Sequence, residues 1–544
     1  MIEFEHPLPA MTVEGREVGS YNNAEMVLPT ALTTLDNRLG EFLHQLQNII
    51  RDDRRLVFID GRVLCCSNNW IRDNVHEMKG FKHWEYDLRS FLTFILDTQR
   101  ENGSFYELIK QLDDRHWAYV DEKDRVIYPD DNVALVRLEL EADVEYLVVE
   151  GCAQYYRATG DGEWLLSVLD RLEKAINYIC TDPKRFDAAL GLAIRPFTID
   201  TWDFTNDPKS QTDRRIHPGE HMCAMHGDNS GLYRAMRLLA HMNDKAGAPQ
   251  KAACWRERAE TLKKNMFAHL WNGRFFIHQL HIGPCPIPGE DETERLSLSN
   301  AYDMNRGVTD TAQSQSIVDE YIRRRETTSA FAEWFSIDPP YPLTFMGIAP
   351  GNYVNGAISP FTAGELARAA FDCGREAYAW SILDRFIEMV KRDGTVYFLY
   401  GPEDARPQGG GPSGWGAAAL MNAVDEGLAG IEDLDCLYRD IRFSPRFVVT
   451  NYKEGRYLTG YEASHIFVDM RWIIKDEGLR YDVISQAERI RARIMLPAGK
   501  RAKSAYLNGE PIPFRTEKVG DSLYVCFEAE GSKRVKMEIA FEND

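Results

Sequence analysis

The sequence predicts a mainly α protein, an (α/α)6 toroid of helical hairpins followed by a smaller C-terminal β-sandwich. Three observations carry this. Amphipathic helical segments joined by tight glycine turns recur at intervals of tens of residues between about 25 and 430. Small residues (Gly151, Ala153, Gly231, Ala235, Gly364, Ala367, Gly416, Ala418) recur at the starts of alternate helices, where packed axes must approach closely. From about residue 441 the period changes to short, alternating, β-branched runs broken by Gly, Pro and Asn. The division expected is an arm over 1–24, the toroid over 25–440 and the sandwich over 441–544.

Taken in order, residues 1–20 read as an irregular or β-edged arm. From Met26, the residues Leu28, Leu32, Leu35, Leu39, Phe42, Leu43 and Leu46 fall at three- and four-residue steps and predict the first helix. RRLVFIDGRVLCC (54–66) predicts a hairpin turning at Asp60-Gly61. NNWIRDNVHEMKGF (68–81) leads into a helix expected over about His83–Gln99. LEADVEYLVVEGCAQYYRATGD ends at Gly160 and Asp161, and EWLLSVLDRLEKAINYI begins a new helix at once. The unit recurs as DNSGLYRAMRLLAHMNDKAGA with QKAACWRERAETLKKNMF, as FTAGELARAAFDCG with REAYAWSILDRFIEMV, and closes with GWGAAALMNAVDEGLAGI. About six hairpins fit, and six closed in a ring make a toroid whose inner helices open onto long loops at one end. The segments FVVTNY, IFVDMRWIIK, LRYDVIS, RIRARIMLP, KSAYLNG, LYVCFEA and RVKMEIAF supply the sandwich. No low-complexity linker precedes it, so firm docking on the toroid is expected.

Composition narrows the function. A net charge of −20 repels a phosphate backbone, which argues against nucleic acid as a partner. No run approaches the roughly 18 apolar residues of a membrane span, and the first residues carry acids and prolines where a secretory signal would carry basic and then apolar ones. A cytoplasmic protein is expected. The ten cysteines are scattered without a CxxC pair and read as reduced, buried small hydrophobes. Homo-oligomerisation is left open.

The polar residues crowd into Arg195–Leu239, RPFTIDTWDFTNDPKSQTDRRIHPGEHMCAMHGDNSGLYRAMRLL, directly before a strong amphipathic helix. Asp200, Asp203, Asp207, Asp213 and Asp228 stand there beside Phe197, Trp202 and Phe204. Ring faces take the C–H surface of a sugar while carboxylates accept from its hydroxyls, so the mixture points to a carbohydrate site. Asp203, between two rings, is the candidate general acid, because burial raises a carboxyl pKa. A helix cap or Asx turn is the plainer reading. Glu403 in YFLYGPEDARPQGGGPSGWG (397–416) is the candidate base, with Gly401, Pro402 and Gly409 to Gly411 folding the chain tightly beside substrate.

Trp70, Arg72, Asp73 and His76 form a further cluster, in which Arg72 beside Asp73 presents a fork and an acceptor to vicinal hydroxyls. Of Glu141, Asp143 and Glu145, Asp143 is expected to point into the mouth while the others face solvent. Asp200, Trp202, His226, Asp228, Tyr353, Asn355 and Trp415 complete the substrate-binding candidates. Arg214 with Arg215 would hold a sugar carboxylate. His217, His221 and His226, with Glu220 and Cys223 between, invite a metal reading. Pro218-Gly219 breaks the helix that would align the first two, and no metal or cofactor is expected.

At these residues the chain resembles the six-hairpin glycosidases, an inverting clan that includes trehalases, processing α-glucosidases, amylo-α-1,6-glucosidases and neutral invertases. WIRDNVHEMKGF resembles the clan's Arg-Asp segment, which implies sugar binding by Arg72 and Asp73. DTWDFTND is similar to the trehalase segment whose Trp-Asp-Phe triplet supplies the general acid, which implies that role for Asp203. NYVNGAISPFTAGELARAAFDCG resembles the clan's Pro-Asn-Gly stretch, and GGGPSGWGAAALMNAVDEGLAGI its Gly-rich closing loop. The trehalase-type base adjoins the glycine run, whereas here Gln408 does so and Glu403 lies upstream. The trailing sandwich is more like that of α-rhamnosidase-like enzymes than of trehalases. The resemblance implies an inverting, exo-acting glycoside hydrolase on an oligosaccharide or small glycoside. The alternatives are a sugar epimerase using the histidines on a similar toroid, a phosphorolytic enzyme, and a non-catalytic carbohydrate-binding protein.

Overall fold

The structure, a computed structural model, describes residues 2–5, 12–13, 16–17, 28–33, 36–113, 120, 122–200, 205–531 and 533–543. Among these, six outer helices alternate along the chain with six inner ones. The outer set is α1 (Arg38–Asp53), α3 (Ser90–Asp97), α5 (Gly162–Thr181), α8 (Pro249–Leu270), α10 (Thr311–Thr327) and α12 (Glu376–Asp393). The inner set is α2 (Ile71–Phe81), α4 (Val144–Thr159), α7 (His226–Lys245), α9 (Ser299–Asn305), α11 (Pro360–Asp372) and α13 (Gly414–Asn422), with a short α6 (Pro208–Asp213) in a loop. Each inner helix packs on the next, and α13 returns to α2, so the ring closes. No described helix is long and apolar enough to cross a membrane.

Local chemistry places the turns. The Gly160 N–H closes α4 on the Tyr156 carbonyl at 2.7 Å from the left-handed region (φ +66), and the Asp161 carboxylate caps α5 by accepting from the Trp164 N–H at 3.0 Å. Close axis approach is real at Gly364, where a Cβ would lie 2.4 Å from the Ala419 carbonyl carbon, and at Gly231, where it would strike the Tyr146 ring.

After α13 and a π-helical turn (Ala423–Leu428) the chain enters two sheets. The five-stranded sheet runs Ile431–Asp433, Asp440–Phe443, Arg489–Met495, Ser522–Glu530, Arg515–Val519. The seven-stranded one runs Glu510–Ile512, Lys500–Leu507, Arg534–Asn543, Gly478–Ser485, Ile466–Lys475, Glu454–Tyr461, Thr30–Thr33. Its last member corrects the expected first helix. Residues 30–33 pair with Gly455–Leu458, and α1 starts only at Arg38. The leucine spacing imitates a helix there, but Pro29 lacks an N–H and Thr30 and Thr33 are β-branched. The helix expected over 83–99 is also redrawn. Residues 71–81 are themselves helical, and a turn at 82–89 separates them from α3.

The sandwich docks in part through a half-buried charge cluster. Asp372 at the end of α11 accepts from Arg442 at 2.7 Å and Arg446 at 2.6 Å, as well as from Arg368 on its own helix at 2.5 Å. Burial alone would raise its pKa, yet the three guanidinium groups hold it well below the usual carboxylate range.

Candidate active site at the mouth of the ring

The first turns of the inner helices gather at one end. Arg72 of α2 meets Asp143 at the start of α4, Asp200 accepts from Ser299 at the start of α9, and Phe361 of α11 stacks on Trp415 of α13. A cavity of about 470 Å³ opens there, within the size range of small-molecule sites. Trp70, Tyr353, Phe398 and Trp415 give it aromatic walls, Asp53 and Asp73 acidic ones, and Gly409 to Gly411 a backbone edge.

The sequence NNW sets the acidic side. Asn68 and Asn69 both adopt left-handed backbone (φ +48 and +63), which asparagine tolerates, and so turn the chain from the strand Arg62–Ser67 into α2 at the mouth. Asp73 then lies in the first turn, 3.3 Å from the Asn68 amide nitrogen that donates to it. Burial pushes its pKa up to about 6; Asn68 and Arg72 pull it down, and Asp53 adds to the rise. One turn below, the fully buried Glu77 carboxyl is pushed well above its ordinary range by burial and by the charges of Asp53 and Asp73. Gly414 lets α13 reach this cluster. Its N–H donates to Asp53 at 2.8 Å, and a Cβ there would lie 2.5 Å from the Glu77 carboxyl carbon.

The glycine run is the stem of a hairpin, Tyr397–Tyr400 paired with Pro407–Pro412. Gly409, Gly410 and Gly411 have φ of +79, +102 and +118, and a Cβ on Gly409 would meet the Phe398 ring at 2.7 Å. Trp415 forms the floor. It lies flat on His76 with ring centroids 4.3 Å apart, and its indole N–H donates to the Tyr302 hydroxyl at 2.9 Å. His76 and Tyr302 face a separate cavity of about 120 Å³ deeper in the ring, so this aromatic layer partitions the axis.

Of the residues singled out in sequence, Trp70, Arg72, Asp73, Tyr353 and Trp415 line the mouth cavity. Trp202 and Asp203 lie in 201–204, outside the described residues. Glu403 is exposed at the tip of the 397–412 hairpin, whereas the cavity is lined by the stem. Several expectations need correction. The Arg72 fork, expected to meet a sugar's vicinal hydroxyls, is taken up inside the protein. It grips Asp143 bidentately at 2.5 and 2.9 Å and also bonds Glu141. Glu141 and Glu145 do not face solvent but are fully buried, and Glu145 pairs with Arg137 at 3.2 Å. Asp143, itself 2 % exposed, is held below the usual range against its burial by Arg72.

Asp200, His226, Asp228 and Asn355 form polar core rather than cavity wall. Asp200 accepts from the Ser297 hydroxyl at 2.6 Å and from the Ser299 hydroxyl at 2.9 Å. His226 is fully buried between Asp303 at 2.6 Å and Ser297 at 2.7 Å; burial would lower its pKa, but Asp303 raises it. Asp228 lies 3.8 Å from Arg195, and burial pushes its carboxyl up to about 6. The Asn355 amide ties the backbone of Tyr341 on both sides, at 2.7 and 2.9 Å. His217 bonds Asp213 at 2.9 Å, while His221 meets His281 and Cys223 in a cluster of donors suited to a metal. Asp53 and Phe398 were missed in sequence. Asp53 is merely the last residue of α1, and Phe398 alternates unremarked in YFLY.

No protein-family model matches the chain, and no curated protein matches it in sequence. Solved structures match in fold. The GH78 family rhamnosidase of Bacillus sp. GL1 superposes with a TM-score of 0.58 at 13% identity, covering 86% of this chain and 43% of that one. The α-L-rhamnosidase of Dictyoglomus thermophilum gives 0.57 at 13%, covering 95% and 51%. That of Streptomyces avermitilis, complexed with L-rhamnose, gives 0.56 at 14%, covering 94% and 42%. The chain thus spans about half the length of these proteins or less, and the likeness is one of architecture.

Proposed function

We propose that the chain is a glycoside hydrolase that removes the terminal sugar of an oligosaccharide or small glycoside with inversion, Asp203 acting as general acid and Asp73 as the base. The observation that carries this reading is Asp73 itself. It is a carboxyl with its pKa pushed up to about 6, set in an aromatic-walled cavity at the mouth of a helical ring. Such a group is mostly ionised at neutral pH yet more basic than an ordinary carboxylate, as activating a water requires. Trp70 and Trp415 supply ring faces for the sugar, and Asp53 an acceptor for its hydroxyls. The base role expected for Glu403 moves to Asp73 because Glu403 sits exposed at the hairpin tip. Inversion needs the two carboxyls roughly 6.5–9.5 Å apart with a water between. The toroidal fold shared with α-L-rhamnosidases supports the hydrolase reading and puts rhamnosides first among substrates to try.

The test is a panel of nitrophenyl glycosides, beginning with the α-L-rhamnopyranoside, followed by proton NMR of the first-formed sugar. Release of the inverted anomer is expected. The retained anomer would refute inversion, and calorimetric sugar binding without turnover over days would replace hydrolysis by binding alone.

A further inference from the structure

Away from the mouth cavity, three strands, Arg195–Pro196, Met222–Met225 and Gln279–His281, form a small antiparallel sheet. Its register sets Cys223 opposite His281, and His221 stands just before the central strand. The consequence is a convergence of soft donors. His221 Nε2 lies 2.9 Å from His281 Nδ1, Cys223 Sγ lies 3.3 Å from the same nitrogen, and the three donor atoms fall within 4.8 Å of one another. A tetrahedral ion with bonds of about 2.0–2.3 Å to nitrogen and sulfur spaces its donors by about 3.3–3.8 Å. The side chains are therefore already gathered to nearly that spacing.

The surroundings fit the same reading. The other nitrogen of His281, Nε2, is 3.2 Å from the Glu292 carboxylate, which fixes its proton there and turns the Nδ1 lone pair toward the cluster. The Phe197 ring sets its edge against both imidazoles, at 5.8 and 4.9 Å, and gives the donors an apolar shell. Cys285, four residues beyond His281, packs on the apolar cluster that contains Cys223 and Phe197. Its sulfur stands outside the group of three convergent donors, in the loop IGPCPIPG that directly follows His281.

We propose that His221, Cys223 and His281, with Cys285 as fourth ligand, bind a zinc ion. Two imidazoles and thiolates select a borderline-soft divalent ion over magnesium or calcium, which prefer oxygen donors. Closed coordination by protein side chains makes the site structural. It staples the strand that runs straight into α7 to the loop following 279–281. It also fixes Phe197, whose N–H donates to the His221 carbonyl at 2.9 Å and which begins the segment leading to Asp203. The thiols lose their protons to solvent on binding, so uptake releases protons.

The test uses the full chain purified without metal-affinity chromatography. Elemental analysis after equilibration with zinc and exhaustive dialysis should give about one zinc per chain. Cobalt(II) added to chelator-stripped protein should give tetrahedral visible bands and a thiolate charge-transfer band in the near ultraviolet, weakened in Cys285→Ser. Cys223→Ser and His281→Ala should abolish both signals, His217→Ala should leave them intact, and Glu292→Gln should weaken affinity by about tenfold or more. Because the stripped parent chain is itself assayed, a variant that fails to fold does not rescue the proposal. Parent protein that retains no zinc and gives no cobalt spectrum overturns it, as does zinc retained equally by Cys223→Ser and His281→Ala.

Discussion

The two ends of the inner ring are built from the same helices and treat their acids differently. On α2, Asp73 in the first turn faces the mouth, and Lys79 in the last turn faces the deep cavity. At the mouth two carboxyls keep their protons more tightly than usual, Asp73 at about 6 and Glu77 well above its ordinary range. In the deep cavity the acids are held by cations. Glu365 bonds Lys79, Glu150 lies 3.6 Å from Arg306, and Glu426 lies 3.3 Å from Arg368 and 3.6 Å from Lys82. Glu426 is accordingly pulled down to about 2 against its burial by Lys82 and Arg368. Burial is common to both ends; among the described residues Asp73 and Glu77 differ from these acids, and from Asp143 with its Arg72, in having no bonded cation. Acids without such partners can exchange protons near neutrality, whereas partnered ones hold the ring together.

Substitutions at the two ends should therefore fail in different ways. The largest effect expected is on turnover: Asp203→Asn and Asp73→Asn should each lower kcat by about a thousandfold, while Glu403→Gln should stay within about threefold. Steady-state kinetics on the best substrate of the panel decides this, and a Glu403→Gln loss as large as the other two would return the base to the hairpin tip. Near the other ends of the helices, Asp372→Asn leaves Arg368, Arg442 and Arg446 short of their shared anion and should cost on the order of 2 kcal/mol in urea unfolding. The kcat of the folded protein should change little; a collapse of kcat at full stability would erase the distinction between the ends.

The pH dependence sharpens it further. With Asp73 ionised as the active form, kcat/KM should fall about tenfold per unit as pH drops below about 6. Smallest is a gain in stability. The folded pKa of about 6 exceeds the ordinary 3.8, so between these values the folded chain keeps a proton that the unfolded chain releases. Asp73 thus disfavours folding increasingly as pH rises from about 4 to 6, by a constant amount above that. Asp73→Asn should raise Tm at pH 8 and not at pH 3.5, read by thermal unfolding; a drop at pH 8 would mean that the carboxylate is anchored rather than poised.

Much of the ring is legible in the sequence, because each hairpin shows its period over many turns and its glycine at the turn, as at Gly160 and Gly374. The pair α9 and α10 is not, since α9 has only seven residues and α10 buries a narrow stripe. The strand at Thr30–Thr33 is invisible locally, as its partner lies more than four hundred residues away. At the mouth, Trp70, Asp73 and Trp415 announce themselves by chemistry at or just before the first turns of helices. His226, Asp228 and Asn355 carry the same chemistry but are consumed by partners such as Asp303, Arg195 and Tyr341, which no local pattern discloses. His281 lies sixty residues from His221, and only strand register joins them.

The stacked layer of His76 and Trp415 makes the mouth a blind well. A polymer cannot be threaded through such a ring, so on the proposed reading only a chain end fits, and the freed sugar must back out by the route the next molecule uses. Product and substrate then exclude one another, and the liberated monosaccharide should act as a competitive inhibitor whose grip sets the pace of successive cleavages.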